Sequence, residues 1–165
     1  MKLSCQTCDI MMIRHPRFEN IICICPLCGI SVMIPESGYM PKSKSDVHIT
    51  PDRVWKIIHD SWGYSQDQFF DPCPVNPTFD GLTTPWKQLN YVNPPYTLLK
   101  EFVFQSIREM HNDKETILLL PVKSDQQWFH DLLSVKADFV WIRRRLKFKN
   151  NKWSATQPHF LAKVS

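Results

Sequence analysis

Residues 89–122, LNYVNPPYTLLKEFVFQSIREMHNDKETILLLPV, decide how the chain folds. LNYV has strand character and stops before Pro94, because proline supplies no N–H to a ladder and restricts the residue ahead of it. Residues 97–111 then space Leu98, Phe102, Ile107 and Met110 among Lys, Glu, Gln and Arg, which predicts an amphipathic helix. ETILLLPV is nearly all apolar, the pattern of a strand buried on both faces, and proline ends it again.

Outward from this stretch the alternation continues. Ser124 is placed to cap a helix beginning DQQWFHDLL, and DFVWIRR follows as a strand. Strand, helix, strand, helix, strand over 89–142 predicts an α/β fold with a largely parallel sheet. Upstream, ITPDRVWKIIHDSW offers Thr50 as N-cap and Pro51 at the first helical position, with Val54, Ile57, Ile58 and Trp62 along one face. QFFDPC reads as a short strand stopped by Pro72. The tail RLKFKNNKWSATQPHFLAKV reads as a strand, a polar turn at Asn150–Asn151 and a final strand. No internal repeat is present.

A chain of 165 residues suits one main domain with a small appendage. With 43% hydrophobic and 22% charged residues it matches neither a disordered chain nor a membrane protein. Its first residues, MKLSCQTCDIMMI, hold no apolar run of signal-peptide length, so the protein is expected to be intracellular. There, six cysteines point to metal rather than disulfides. CQTC and CPLC, sixteen residues apart, have zinc-ribbon spacing, which makes Cys5, Cys8, Cys25 and Cys28 the expected ligands of a structural Zn²⁺. Cys23 and His15 are further candidates. The expected organisation is a zinc-ribbon-like module at 1–34, a Pro-, Ser- and Gly-containing linker at 35–46 and the main domain at 47–165.

In open parallel sheets ligands bind beyond the carboxyl ends of the strands, so QFFDPC and LNYVNPPY would face one crevice, with Asp71 near Asn93. Two prolines fix an extended corner and leave nearby carbonyls without a local donor. The Asn93 amide oxygen and the Pro94 carbonyl could then accept both hydrogens of a planar NH₂ group, while the Tyr96 ring stacks on the base that carries it. Asn-Pro-Pro-Tyr resembles the catalytic motif of the amino-methyltransferases. Together with HITPDRVWKIIHD, FFDPCPVNP, DGL…W, LLLPVKSDQQWFHDLL and RRRLKF, in order and spacing, it makes residues 47 to 165 similar to the phage-type DNA N6-adenine methyltransferase family.

That resemblance implies a reduced Rossmann-like methyltransferase fold, S-adenosylmethionine as methyl donor and an adenine in DNA as acceptor. It implies catalytic roles for Asn93, Pro94, Pro95 and Tyr96, and cofactor contacts from Asp71, Pro72, Cys73, the loop through Asn76, and Asn93. Thr50 and Pro51 match a segment that helps hold the cofactor, while an ordinary helix cap explains them as well. The glycine-rich loop usual in such folds is absent after Asp71. Asp80, in DGL, reads as the start of a turn. Methyl transfer from a sulfonium needs alignment more than a general base, so His111, His130 and His159 are read as surface or structural residues. The target adenine must be flipped out of a duplex or lie in a single strand.

Arg143, Arg144, Arg145, Lys147, Lys149 and Lys152 crowd into ten positions without an acidic residue and are expected to contact phosphates, with Arg143, Arg145 and Lys147 on one face. Such contacts position a protein without reading bases. The main domain is small for an enzyme with its own target-recognition part, which leaves that task to the head, a second copy forming a homodimer, or a partner subunit. The rival readings are an RNA or protein-glutamine methyltransferase, and an inert zinc-containing DNA-binding module.

Overall fold

The computed structural model describes residues 48–165 and, within residues 1–47, three short strands: β1 (Ile13–Arg14), β2 (Ile22–Ile24) and β3 (Ser31–Met33). The chain divides into two compact units, Met1–Ser43 and Lys44–Ser165. In the first, β2 pairs antiparallel with both β1 and β3, and Cys23 stands opposite Arg14 and Val32. Cys5, Cys8, Cys25, Cys28, His15 and the 35–46 linker lie outside the described residues. Among the described residues no group of His, Cys, Asp or Glu is arranged to hold a metal. No helix among them is long and apolar enough to cross a membrane.

The second unit is a mixed α/β layer structure. In chain order it holds α1 (Asp52–Trp62), β4 (Leu89–Val92), α2 (Leu99–Met110), β5 (Glu115–Pro121), α3 (Gln127–Ser134), β6 (Asp138–Trp141) and β7 (His159–Val164). The sheet order is β4-β5-β7-β6. β4 and β5 are parallel, whereas β7 is antiparallel to both β5 and β6. The three strands of the predicted alternation therefore run in one direction, and the last strand inserts between the second and third of them against that direction.

β5 explains the two cores. From Ile117 to Pro121 it is apolar because both of its faces are covered: Leu118 and Leu120 join Val92, Phe160 and Ala162 against α2 and α3, while Ile117 and Leu119 join Tyr91 and Leu161 against Val54 and Ile58 of α1. The second face is closed by Ile142, Leu146 and Phe148, which belong to no helix. Asn90 is buried yet satisfied: its Oδ1 accepts from the Lys87 N–H at 3.0 Å, and its Nδ2 donates to the carbonyls of Lys87 and Glu115 at 2.8 and 3.0 Å, tying β4 to β5.

Several local expectations are corrected. Pro51, not Thr50, is the N-cap of α1, and no side chain caps it. α3 begins at Gln127 with Gln126 as its cap, so Ser124 stands outside the helix. Tyr96–Leu98 is a 3-10 turn ahead of α2, which leaves Leu98 exposed and makes Leu99 the first core residue. QFFDPC pairs with β4 only at Phe70, whose N–H donates to the Leu89 carbonyl at 3.0 Å and whose carbonyl accepts from Tyr91 at 2.9 Å. RLKFK is not a strand: Arg144 just ahead of it turns the chain with φ 68°, and 145–149 joins no ladder.

Candidate active site

The period-two turn of β4 sends Tyr91 to the α1 side of the sheet, and the chain ends its pairing one residue before Asn93. Asn93 Nδ2 donates to the His48 carbonyl at 2.6 Å and to Thr50 Oγ1 at 3.3 Å. Both amide hydrogens are thus engaged within the protein, and Oδ1 remains the acceptor of this side chain. The Thr50 hydroxyl also meets the Tyr91 hydroxyl at 2.9 Å. Tyr91 is 2% exposed, and burial raises its pKa well above the phenolic range, so it is a neutral partner. Thr50 is therefore a strut between β4 and the entry to α1, not a helix cap.

A cavity of about 280 Å³ opens beside this strut. Its walls include Asn93, Asp71, Thr50, Cys73, Trp55 and Lys149. Asp71 and Asn93 share it as expected from strand ends facing one crevice. Pro95 lines it too, whereas the buried Pro94 does not, and Pro51, Pro72 and Asn76 are absent from its walls. Asn76 adopts φ 60° between the lining residues Val75 and Pro77 and is itself exposed.

Asp71 Oδ1 accepts the Cys73 N–H at 2.8 Å, closing a tight turn in place of a glycine loop. Part of Asp71 faces open space, yet the surrounding protein strips enough water from the carboxyl to push its pKa up to about 6, with the Cys73 N–H opposing the shift. The turn is locked from behind by Gly81. A β-carbon there would lie 1.6 Å from the Pro72 carbonyl oxygen, so only glycine admits this approach. Trp86 Nε1 donates to the Gly81 carbonyl at 2.7 Å, and Asp80 caps the adjoining turn by accepting the Leu82 N–H at 2.9 Å. The DGL…W pattern is thus a clamp on the Asp71–Cys73 turn, with Asp80 in the turn as expected.

Tyr96 is 38% exposed just past Pro95. His48 lies 5.1 Å from its ring and stacks on Phe148 at 4.6 Å. The Tyr96 hydroxyl is 3.2 Å from Nε2 of His159, a residue 2% exposed whose Nδ1 faces the Gln157 carbonyl at 3.1 Å. Burial drives the His159 pKa down to about 4, against the Gln157 carbonyl and with help from His48, so the ring is neutral. His111 and His130 are exposed and away from the cavity. His48 lines the cavity, whereas Tyr96 and His159 are not among its walls and meet each other beside it; nothing in the sequence singled out His48.

Arg143, Arg144, Arg145, Lys147, Lys149 and Lys152 are all exposed. Between them Leu146 and Phe148 are each 1% exposed, so charge points out and apolar mass in without a β-ladder. The segment is fastened beside the cavity: Lys149 N–H donates to the Ile49 carbonyl at 3.0 Å, Ile49 N–H to Asn150 Oδ1 at 3.0 Å, and the Lys149 ammonium pairs with Asp52 at 2.5 Å. Arg53 reaches the Arg143 carbonyl.

The sequence model of the DNA N-6-adenine-methyltransferase (Dam) family matches residues 37–160, well over half of the chain. The chain belongs to this family. It is an S-adenosylmethionine-dependent enzyme that methylates N6 of adenine in DNA, and the Dam match spans every wall of the cavity, Tyr96, His159 and the whole basic segment. No curated protein and no solved structure matches the chain. The Dam assignment favours DNA over RNA or protein glutamine as substrate, and an enzyme over an inert binding module.

Proposed function

We propose that the cavity between Asp71 and Asn93 is where S-adenosylmethionine and the target amine meet, on a reduced Rossmann-like unit. The observation that carries this is the committed Asn93 amide: both hydrogens are used inside the protein, so Oδ1 is oriented as an acceptor at a cavity wall. The donor set suits the cofactor. Asp71 offers a carboxylate to a cationic ligand, and Trp55 and Val75 offer apolar surface. The cofactor supplies an electrophilic methyl group. Asn93 and the adjacent proline corner align the adenine amine and favour the partial positive charge that develops on it, Tyr96 stacks on the base, and no residue is needed to remove a proton before transfer. The shared direction of β4, β5 and β6, with the cavity beyond the end of β4, supports the Rossmann-like reading.

Titrating the protein with S-adenosylmethionine by calorimetry tests the pocket. Above about pH 6 Asp71 is ionised; lowering the pH through that value protonates it. Affinity is expected to fall about tenfold between pH 7.5 and 5, and Asp71→Asn is expected to bind weakly and without this pH dependence. A pH-independent affinity in the native protein removes Asp71 from the cofactor site. The same raised pKa favours the folded apo-protein below pH 3.8, and that contribution is lost as the pH rises through about 6.

The basic segment is read as the DNA backbone contact, supported by its six outward cations and its attachment beside the cavity. Arg143→Glu with Lys147→Glu is expected to weaken binding to all duplex sequences alike and to flatten the slope of log affinity against log salt by about 2. An unchanged slope in filter binding would move the DNA surface elsewhere. An intracellular location follows from a DNA substrate.

Zinc in the head is supported by the two CxxC pairs and by β2–β3 pairing, since Cys25 and Cys28 fall in the connection between those strands. Native protein is expected to carry about one zinc per chain and Cys25→Ser to lose it. Metal analysis that finds none in the native protein ends this part of the reading.

A further inference from the structure

Tyr96 sits on a short 3-10 turn without a side-chain cap, on an exposed corner, which is a poor mounting for a ring that must meet a nucleobase face to face. Its hydroxyl, however, points inward to a group with a rigid base. His159 opens β7 and pairs with Pro121 of β5. Its carbonyl accepts from the Ile142 N–H at 3.2 Å, and the neighbouring Pro158 carbonyl accepts from Val122 at 2.9 Å. The imidazole is fixed on three sides. Phe148 stands edge-on to it at 5.4 Å, Nδ1 meets the Gln157 carbonyl, and Nε2 meets Tyr96.

The tautomer follows from the partners. A carbonyl can only accept, so Nδ1 carries the ring proton and donates to Gln157. Nε2 then has only a lone pair to offer, and the Tyr96 hydroxyl must be the donor. A tyrosine whose hydroxyl is committed inward turns its flat face, not its polar tip, to whatever lies outside.

We propose that His159 is a positioning residue for methyl transfer, holding the Tyr96 ring in its stacking orientation through the hydroxyl-to-Nε2 hydrogen bond. This rests on the reading of Tyr96 as the residue that stacks on the adenine. The Gln157 carbonyl sets the tautomer, the tautomer makes Nε2 an acceptor, and the acceptor fixes the ring before DNA arrives. Ordering the ring in advance removes a cost that substrate binding would otherwise carry. His48 is tilted against the same ring, its centroid 5.1 Å away.

The test is a double-mutant cycle on the full chain, with plasmid DNA as substrate and labelled S-adenosylmethionine as donor. Tyr96→Phe and His159→Leu are each expected to lower kcat/KM for DNA by about tenfold, with KM for the cofactor unchanged, since each removes the hydroxyl-to-Nε2 hydrogen bond. The double variant is expected to be no worse than either single one. His159→Gln, which keeps an acceptor, is expected to recover part of the loss. Losses that multiply in the double variant overturn the proposal. So does wild-type activity in Tyr96→Phe alongside inactivity in Tyr96→Ala, a result that keeps the stacking role and removes His159 from it. Wild-type activity in Tyr96→Ala sinks the stacking reading itself. Should His159→Leu fail to fold in a thermal melt, Tyr96→Phe decides, because its exposed side chain is not part of the core: a tenfold loss sustains the proposal and full activity overturns it.

Discussion

Asn93→Ala is expected to lower kcat by about 10²–10³-fold while S-adenosylmethionine and DNA still bind. The side chain has two jobs, and alanine removes both. Its Nδ2 ties the His48 carbonyl and Thr50 to the end of β4, and on the proposed reading its Oδ1 accepts from the incoming amine. The first job is local and partly duplicated, because Thr50 also meets Tyr91 and the Lys149 N–H already holds the Ile49 carbonyl. The loss should therefore appear in turnover more than in stability. Nucleoside mass spectrometry of DNA from cells expressing the protein gives the first reading: N6-methyladenine present with the native protein and absent with Asn93→Ala. Calorimetry on the purified variant gives the second. If the variant methylates at the native rate, Oδ1 does not hold the amine and the transfer geometry lies elsewhere.

Gly81→Ala is expected to destabilise the protein by roughly 2–3 kcal/mol and to raise the cofactor KM, although residue 81 is not a wall of the cavity. The cause is geometric. An added carbon 1.6 Å from the Pro72 oxygen cannot be accommodated by a rotamer change, since both partners are backbone. Either the Pro72 peptide moves, carrying Asp71 and Cys73 with it, or the turn at Asp80 opens and breaks the Trp86 hydrogen bond. Trp86 is buried against Phe102, so the second route also disturbs the α2 core. A melting temperature and cofactor KM both equal to native would show that the clamp is dispensable.

What the sequence made legible was local and covalent. The proline corner after β4, the nearly all-apolar β5 and the amphipathic α1 each follow from the residues themselves, because a missing N–H or a face of apolar side chains acts at short range. The place of Asn-Pro-Pro-Tyr directly after a strand was legible for the same reason. Strand order was not. Nothing in HFLAKV distinguishes an edge strand from one slipped between β5 and β6, as its pairing depends on residues distant in sequence in both of those strands. Ser124 and Thr50 have the chemistry of caps but cap no helix, Thr50 because its oxygen meets the Tyr91 hydroxyl instead. His159 looked like any histidine until β7 carried it to Tyr96.

The stretch from Arg145 to Lys149 has a parity that no ladder enforces: alternate side chains plug the sheet while the others stay wet. Losing or gaining one position there would exchange the two sets, driving ammonium and guanidinium groups toward oil and bringing Leu146 and Phe148 into water. On the proposed reading of this segment as the DNA contact, its grip on the polyanion can change only by swaps at the outward positions, because the spacing itself belongs to the interior.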